Sequence, residues 1–167
     1  RPLGRTGRRL RDRDDIAFLM VGGGAQRETI KTIRDTKGLT NIVMLDQLPK
    51  AAMPAVWGAS DAALVLLKRV DTFKTVIPSK MFETMAARRP MILGVEGEAK
   101  ALMEEGSAGI AITPEDDAEL ATAILRLADD RALGRQIGAS AQAFVRAQFD
   151  RERLAHAYLA EFEALRR

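Results

Sequence analysis

The chain has 167 residues, 47% of them apolar and 29% charged, which is one domain's worth of folding polypeptide and excludes a disordered tail. It contains no cysteine, which excludes disulfides, thiolate metal sites and cysteine nucleophiles and fits a cytoplasmic setting. The net charge of +3 is uneven: six arginines against Asp12 give residues 1–13 a sum of +5 and leave −2 for the rest. With no aromatic residue among those arginines, nucleic acid is not an expected partner.

In chain order, residues 1–15 read as a basic helical flank, with a helix over Leu3–Arg13 whose charged face is solvated. An anionic membrane surface or an acidic neighbouring domain is the alternative partner for it. Apolar runs without polar alternation follow at Ile16–Val21, Asn41–Leu45, Ala62–Leu67, Met91–Leu93 and Gly109–Ile112. Such runs predict strands covered on both faces. Between them amphipathic stretches predict helices over Ala25–Lys37 (closed by Gly38), Pro49–Gly58, Pro78–Arg88 and Glu96–Glu105. Thr113, followed by Pro114 and two acids, predicts a capped helix start running to about Ala128. Residues 130–148 read as one or two helices broken near Gly138. A last helix spans Asp150–Arg166, with Leu154, Tyr158, Phe162 and Leu165 on one stripe that must pack back or reach another domain.

The alternation predicts a single α/β domain, a three-layer α/β/α Rossmann-like fold with a mostly parallel sheet and a helical C-terminal extension. Doubly wound sheets begin with a strand that comes to lie centrally, whereas here a helix comes first. An upstream strand, and a whole upstream domain, are therefore expected.

Gly22, Gly23 and Gly24 follow the first strand directly, where glycine lets the backbone approach a ligand. A dinucleotide fingerprint would use Asp46 as its ribose acid, but its third glycine position holds Arg27. A more specific segment runs from Phe73 to Ile92. A helix opening at Pro78 would turn the free N–H groups of Ser79 and Lys80 toward the sheet's mouth, and with the Lys80 ammonium would suit a diphosphate. Glu83, one turn on, could accept two hydrogen bonds from a ribose diol. Lys68, Arg69 and Lys74 flank the same mouth as solvated charges. His156, the only histidine, sits among alanines without a catalytic set, and no acid–histidine cluster of metal-ligand spacing predicts a metal or cofactor.

The run Pro78-Ser79-Lys80-Met81-Phe82-Glu83, continued through Ala86 to Pro90, resembles the signature Pro-Ser-Lys-x-x-Glu-x-x-Ala-x-Gly-x-Pro of family-four glycosyltransferases of the two-domain GT-B type. Val21–Gly24, the Leu45–Pro49 turn and Ser60-Asp61-Ala62 support the likeness over nearly the whole chain, as the second, donor-binding domain. The likeness is greatest to transferases adding N-acetylfucosamine-type sugars to lipid-linked O-antigen and lipopolysaccharide precursors. The resemblance implies a retaining, hexosyltransferase-like enzyme that uses a nucleotide-sugar donor, UDP-type in preference to GDP-type. It also implies an N-terminal acceptor domain outside this chain and peripheral contact with the cytoplasmic face of the inner membrane. It assigns Glu83 to the ribose, Ser79 and Lys80 to the diphosphate and sugar, Gln47 and Leu48 to the base, and Gly22 and Gly23 to the cleft wall. Lys80 and Glu83 become the residues closest to the chemistry.

Three departures stand out. Thr75 occupies the place of the motif's first glutamate, Arg88 that of its glycine, and the Arg/Lys pair near the domain's first strand has no counterpart. A nucleotide-sugar epimerase of GT-B type and a non-catalytic sugar-nucleotide-binding scaffold are the alternatives. The isolated domain is expected to be inactive.

Overall fold

The three-dimensional arrangement is a computed structural model that describes residues 2–165; Arg1 and Arg166, assigned above to the basic flank and the last helix, lie outside the described residues. Five short strands form where the apolar runs fall: β1 (Phe18–Val21), β2 (Ile42–Leu45), β3 (Ala63–Leu66), β4 (Met91–Gly94) and β5 (Gly109–Ala111). All pairings are parallel, Phe18 opposite Ile42, Ala63 opposite Met91 and Met91 opposite Gly109. The strands divide into a two-stranded part, β1-β2, and a three-stranded part in the order β3-β4-β5.

β4 is buried along its whole length. Its period of two sends Met91 and Leu93 to one face and Ile92 to the other. The first face packs on Met81 and Met85 of α4 (Lys80–Ala86), Ala99 and Met103 of α5 (Glu98–Glu105), and Ala141 and Val145 of α7 (Arg131–Phe149). Ile92 meets Leu120, Ala123 and Leu127 of α6 (Asp117–Asp129). Each such buried side chain contributes roughly 1.5–3 kcal/mol. The layers are therefore α/β/α, as the patterning predicts.

Several boundaries differ from the sequence expectation, each for a local reason. α7 runs unbroken through Gly138, which is not a breaker but a contact point. Gly138 is buried, and a Cβ there would run into the Arg88 carbonyl. Arg88 itself adopts φ 58, in the left-handed region, at the turn between α4 and β4. α6 starts at Asp117 rather than Thr113, because Glu115 at φ 67 interrupts the helical path. Its cap is Asp116, whose carboxylate accepts the N–H groups of Ala118 and Glu119 at 2.8 and 2.9 Å. Thr113 instead donates its N–H and its hydroxyl to Glu119. The stretch after Pro49 divides into a 3₁₀ turn, Lys50–Ala52, and α3, Met53–Gly58. Between β1 and β2 lies α2, Arg27–Thr36, two residues inside its expected start.

The arginines of the basic flank, Arg5, Arg8, Arg9 and Arg11, are exposed, while Thr6, Gly7 and Leu10 on its other face are buried. α1 spans Pro2–Arg9, and it packs on α6. Arg9 donates to Asp117 at 2.8 Å, with Arg5 at 3.6 Å from the same carboxylate. Arg13 bridges Asp15 and Asp129, both at 2.8 Å. The flank thus fastens the chain's first helix to the sheet's far layer. At the other end, α8 (Arg151–Ala164) begins at Asp150, whose carboxylate accepts the Arg153 N–H at 3.0 Å. Every residue from Arg151 to Leu165 is exposed, so its apolar stripe does not pack back onto the body. Tyr158 and Phe162 meet edge to face at 5.2 Å.

Two outcomes follow from these contacts. The Arg9 hydrogen bond, then the Arg5 charge, hold the Asp117 carboxyl below its usual range, and Arg13 holds Asp15 at about 2. Carboxyls depressed on folding stabilise the fold above their unfolded values, and that contribution is lost as pH falls through the folded ones. The α1–α6 contact should therefore loosen as pH falls below the ordinary carboxylate range of about 4, seen as faster amide exchange in residues 6–10 while β4 stays protected. Arg88→Gly should raise stability by about 1 kcal/mol in urea unfolding, since a side chain in the left-handed region costs roughly that much.

Candidate functional site

In parallel sheets the loops after the strands gather at one edge, and the candidate residues lie on such loops. After β1 the chain turns through Gly22 at φ 129 and Gly24 at φ 134, conformations that L side chains rarely adopt. This turn, with Met20, Arg27, Ile30 and Met44, lines an open cleft of about 210 Å³. Arg27 reaches across to form an ion pair with Asp46. The acid a dinucleotide site would need is therefore occupied by the very residue that breaks the fingerprint. Gln47 and Leu48 follow β2 next to this turn; they make no hydrogen bond among the described residues.

The second group lies beyond β3. Met81, Thr84 and Met85 are the buried face of α4, and the Thr84 hydroxyl donates to the Lys80 carbonyl at 2.8 Å. The same geometry turns Lys80 and Glu83 outward, three residues apart on the exposed face. Neither has an ion pair or a side-chain hydrogen bond among the described residues. The helix begins at Lys80, two residues after the expected Pro78. The Met81 N–H bonds the Pro78 carbonyl at 2.9 Å and the Phe82 N–H bonds the Ser79 carbonyl at 3.1 Å. The N–H groups of Ser79 and Lys80 have no acceptor among the described residues, and the Ser79 hydroxyl caps nothing. At seven residues α4 carries a small dipole, so positive charge here rests on the Lys80 ammonium rather than on the helix.

Between β3 and α4 a 3₁₀ turn, Asp71–Thr75, packs against α5. Thr75 closes it, its hydroxyl donating to the Thr72 carbonyl at 3.3 Å. Gly97, at φ 74, comes so close to the Lys74 backbone that a Cβ would collide with it. Here the cations expected to be solvated are engaged. Lys74 pairs with Asp71 at 2.8 Å and with Glu96 at 3.9 Å; Arg69 pairs with Glu96 at 3.7 Å. The Arg69 N–H donates to Glu115 at 3.1 Å. The Asp71 partner raises the Lys74 ammonium above its usual value and is itself lowered. Lys68 alone of the three remains without an ion pair among the described residues.

The candidate residues thus come in two groups. Gly22 and Gly23 line the open cleft, with Gln47 and Leu48 on the next loop. Thr75, Ser79, Lys80 and Glu83 lie on the turn and helix after β3, and none of them lines that cleft. Asp71, Glu96, Gly97 and Glu115 were not anticipated, since their partners lie in other loops; Gly97 after an acid was the only local hint. His156 is exposed on α8. No group of three His, Asp or Glu residues among the described residues is arranged to hold a metal ion.

The family described as glycosyl transferases group 1 matches residues 4–130. A lipopolysaccharide core biosynthesis glycosyltransferase, LpsD, of Rhizobium meliloti is 27% identical over 157 residues, 93% of this chain and 44% of that protein. An alpha-D-kanosaminyltransferase of Streptomyces kanamyceticus is 27% identical over 76% of this chain and 32% of its own length. Among solved structures, TarM of S. aureus in complex with Fondaparinux, alpha-GlcNAc-glycerol and UDP shares the fold. Its TM-score is 0.79 at 16% identity, over 95% of this chain and 31% of that one. The chain therefore spans less than half the length of each of these relatives.

The two glycines that shape the loops should respond differently to substitution. Gly97→Ala should cost about 3 kcal/mol, from positive φ and overpacking together. Gly23→Ala, which meets nothing within 4 Å, should stay within about 0.5 kcal/mol, both read from urea unfolding midpoints.

Proposed function

The chain belongs to the group 1 glycosyltransferases, and from that premise we propose that it is the donor-binding domain of a retaining enzyme that moves a sugar from a nucleotide sugar to a glycan or lipid-linked acceptor. The observation that carries this is the exposed, unpaired face of α4, where Ser79, Lys80 and Glu83 offer two free N–H groups, an ammonium and a carboxylate. A nucleoside diphosphate presents the complement, an anionic diphosphate next to a ribose diol.

In this arrangement Glu83 accepts the ribose hydroxyls, and Ser79 and Lys80 meet the diphosphate. Gln47 and Leu48 offer backbone groups to the base, and Gly22 and Gly23 let the donor lie close to the main chain. Thr75 stands beside the donor sugar in place of an acid. The domain's contribution to the reaction is orientation of the donor and stabilisation of charge on the departing diphosphate by Lys80. Transfer also needs an acceptor domain, so residues 1–167 alone bind donor and transfer nothing.

A UDP-type donor is supported by the UDP complex of the structural neighbour, and a role in lipopolysaccharide biosynthesis by the name of the Rhizobium relative; an O-antigen acceptor is a finer assignment. Membership in family four and an N-acetylfucosamine-type hexosyl group are the finer assignments. Contact with the cytoplasmic membrane face would be peripheral; no helix among the described residues is long and apolar enough to cross a membrane.

Calorimetric titration with UDP and with GDP tests this directly. Saturable UDP binding, weaker for GDP, is expected, and Glu83→Ala should weaken it by about 1–3 kcal/mol, the range for losing hydrogen bonds to a charged group. No saturable binding of either nucleotide would sink the proposal, and an unchanged affinity in the variant would remove Glu83 from the ribose.

A further inference from the structure

The helix that carries Lys80 and Glu83, α4, is held at both ends by α7. At its C-terminal end Gly138 lies against the Arg88 carbonyl, and the Gln142 side chain donates to the Ala86 carbonyl at 2.9 Å. Near its opening turn the Phe82 ring meets the Phe149 ring, with centroids 5.0 Å apart and planes at 59°. The contacts run antiparallel, so α7 acts as a splint along α4.

Phe149 is itself fixed from behind. Its ring stands edge-on to Phe144 at 5.8 Å. Phe144 in turn lies so close to Gly106, at the end of α5, that a Cβ there would collide with the ring. All three phenylalanines are partly buried against the cluster that holds Met81, Met85 and Met103. Ala141 and Val145 already bury α7 on this core. Phe149, beyond them, is the last residue of α7, since Asp150 at ψ 126 leaves the helix.

Phe82 is placed to pass the restraint on. A long side chain on a helix leans back over the preceding turn, and residues i and i−3 share a face. Phe82 therefore lies beneath Ser79, whose carbonyl its own N–H bonds at 3.1 Å. It is partly buried where Lys80 and Glu83 are exposed, so it can be gripped without covering them. The opening turn has no side-chain cap among the described residues, and a helix of seven residues does not hold its own ends in place.

We propose that Phe149 is a positioning residue for the donor. Acting through Phe82, it sets the opening turn of α4, and with it the placing of the Ser79 and Lys80 N–H groups, the Lys80 ammonium and Glu83 against a nucleoside diphosphate. This role rests on the donor reading given above.

Calorimetric titration of the chain and its variants with UDP tests it. Phe149→Ala should weaken UDP binding on the order of tenfold, whereas Phe149→Tyr, which keeps the ring, should stay within about twofold. Phe82→Ala should lose a similar factor, and the double variant no more than either alone, as residues acting as one unit do. Leu127→Ala, on the opposite face of β4, is the stability control. It should lower the urea midpoint at least as far as Phe149→Ala and leave UDP affinity within about twofold. In free Phe149→Ala the Met81 and Phe82 amides should exchange faster, while the Ala87 amide, bonded to the Glu83 carbonyl at the helix's other end, stays protected. Unchanged UDP affinity in Phe149→Ala overturns the proposal and leaves the donor reading standing. So do losses that add in the double variant, an equal loss in Leu127→Ala, or an Ala87 amide that loosens as much as that of Phe82. No UDP binding by the unaltered chain removes the donor reading and this role with it.

Discussion

Met91 to Gly94 form the one strand with a neighbour on each side and helices over both faces, and the rest of the molecule is fixed relative to it. Packing against Met91 and Leu93 holds α4 by Met81 and Met85. A helix of seven residues would not persist in water by itself, because nucleation is costly and the gain per residue small. Its outward face is thus a consequence of its inward one. Lys80 and Glu83 are presented because Met81, Thr84 and Met85 are held, and the α7 contact through Gly138 clamps the turn that follows.

The same dependence explains what could be read from the residues alone. Strands write themselves as unbroken apolar runs, so all five were visible to within a residue or two; the expected cover on both faces is complete for β4 alone among them, since Leu19, Val43 and Leu45 of β1 and β2 are exposed. Ser79, Lys80 and Glu83 were visible as one face because helix periodicity is local. Gly138 was legible as a glycine but not as a contact, since its reason lies fifty residues away at the Arg88 carbonyl. The helix start at Thr113 was misplaced because two plausible caps stand three residues apart, and the backbone at Glu115 decides for Asp116.

Charge follows a similar rule. Most of the cations that seemed free are satisfied from a distance in sequence: Arg9 by Asp117, Arg13 by Asp129, Arg27 by Asp46, Arg69 and Lys74 by Glu96. Exposed pairs like these contribute little individually to stability. Their effect is to thin the positive field, so that near the end of β3 the ammonium groups of Lys68 and Lys80 are the ones a phosphate would meet without displacing an acid.

α8 has a thermodynamic consequence of its own. At fourteen residues and without packing partners, it stands near the length at which an isolated helix is barely half formed in water. Its helix–coil equilibrium is then independent of the core and drifts gradually with temperature rather than breaking at a midpoint. Far-ultraviolet circular dichroism would record this slope as well as the cooperative step of the sheet, whereas fluorescence from Trp57, packed on the core, would record the step alone. Melting curves taken by the two signals should not superimpose.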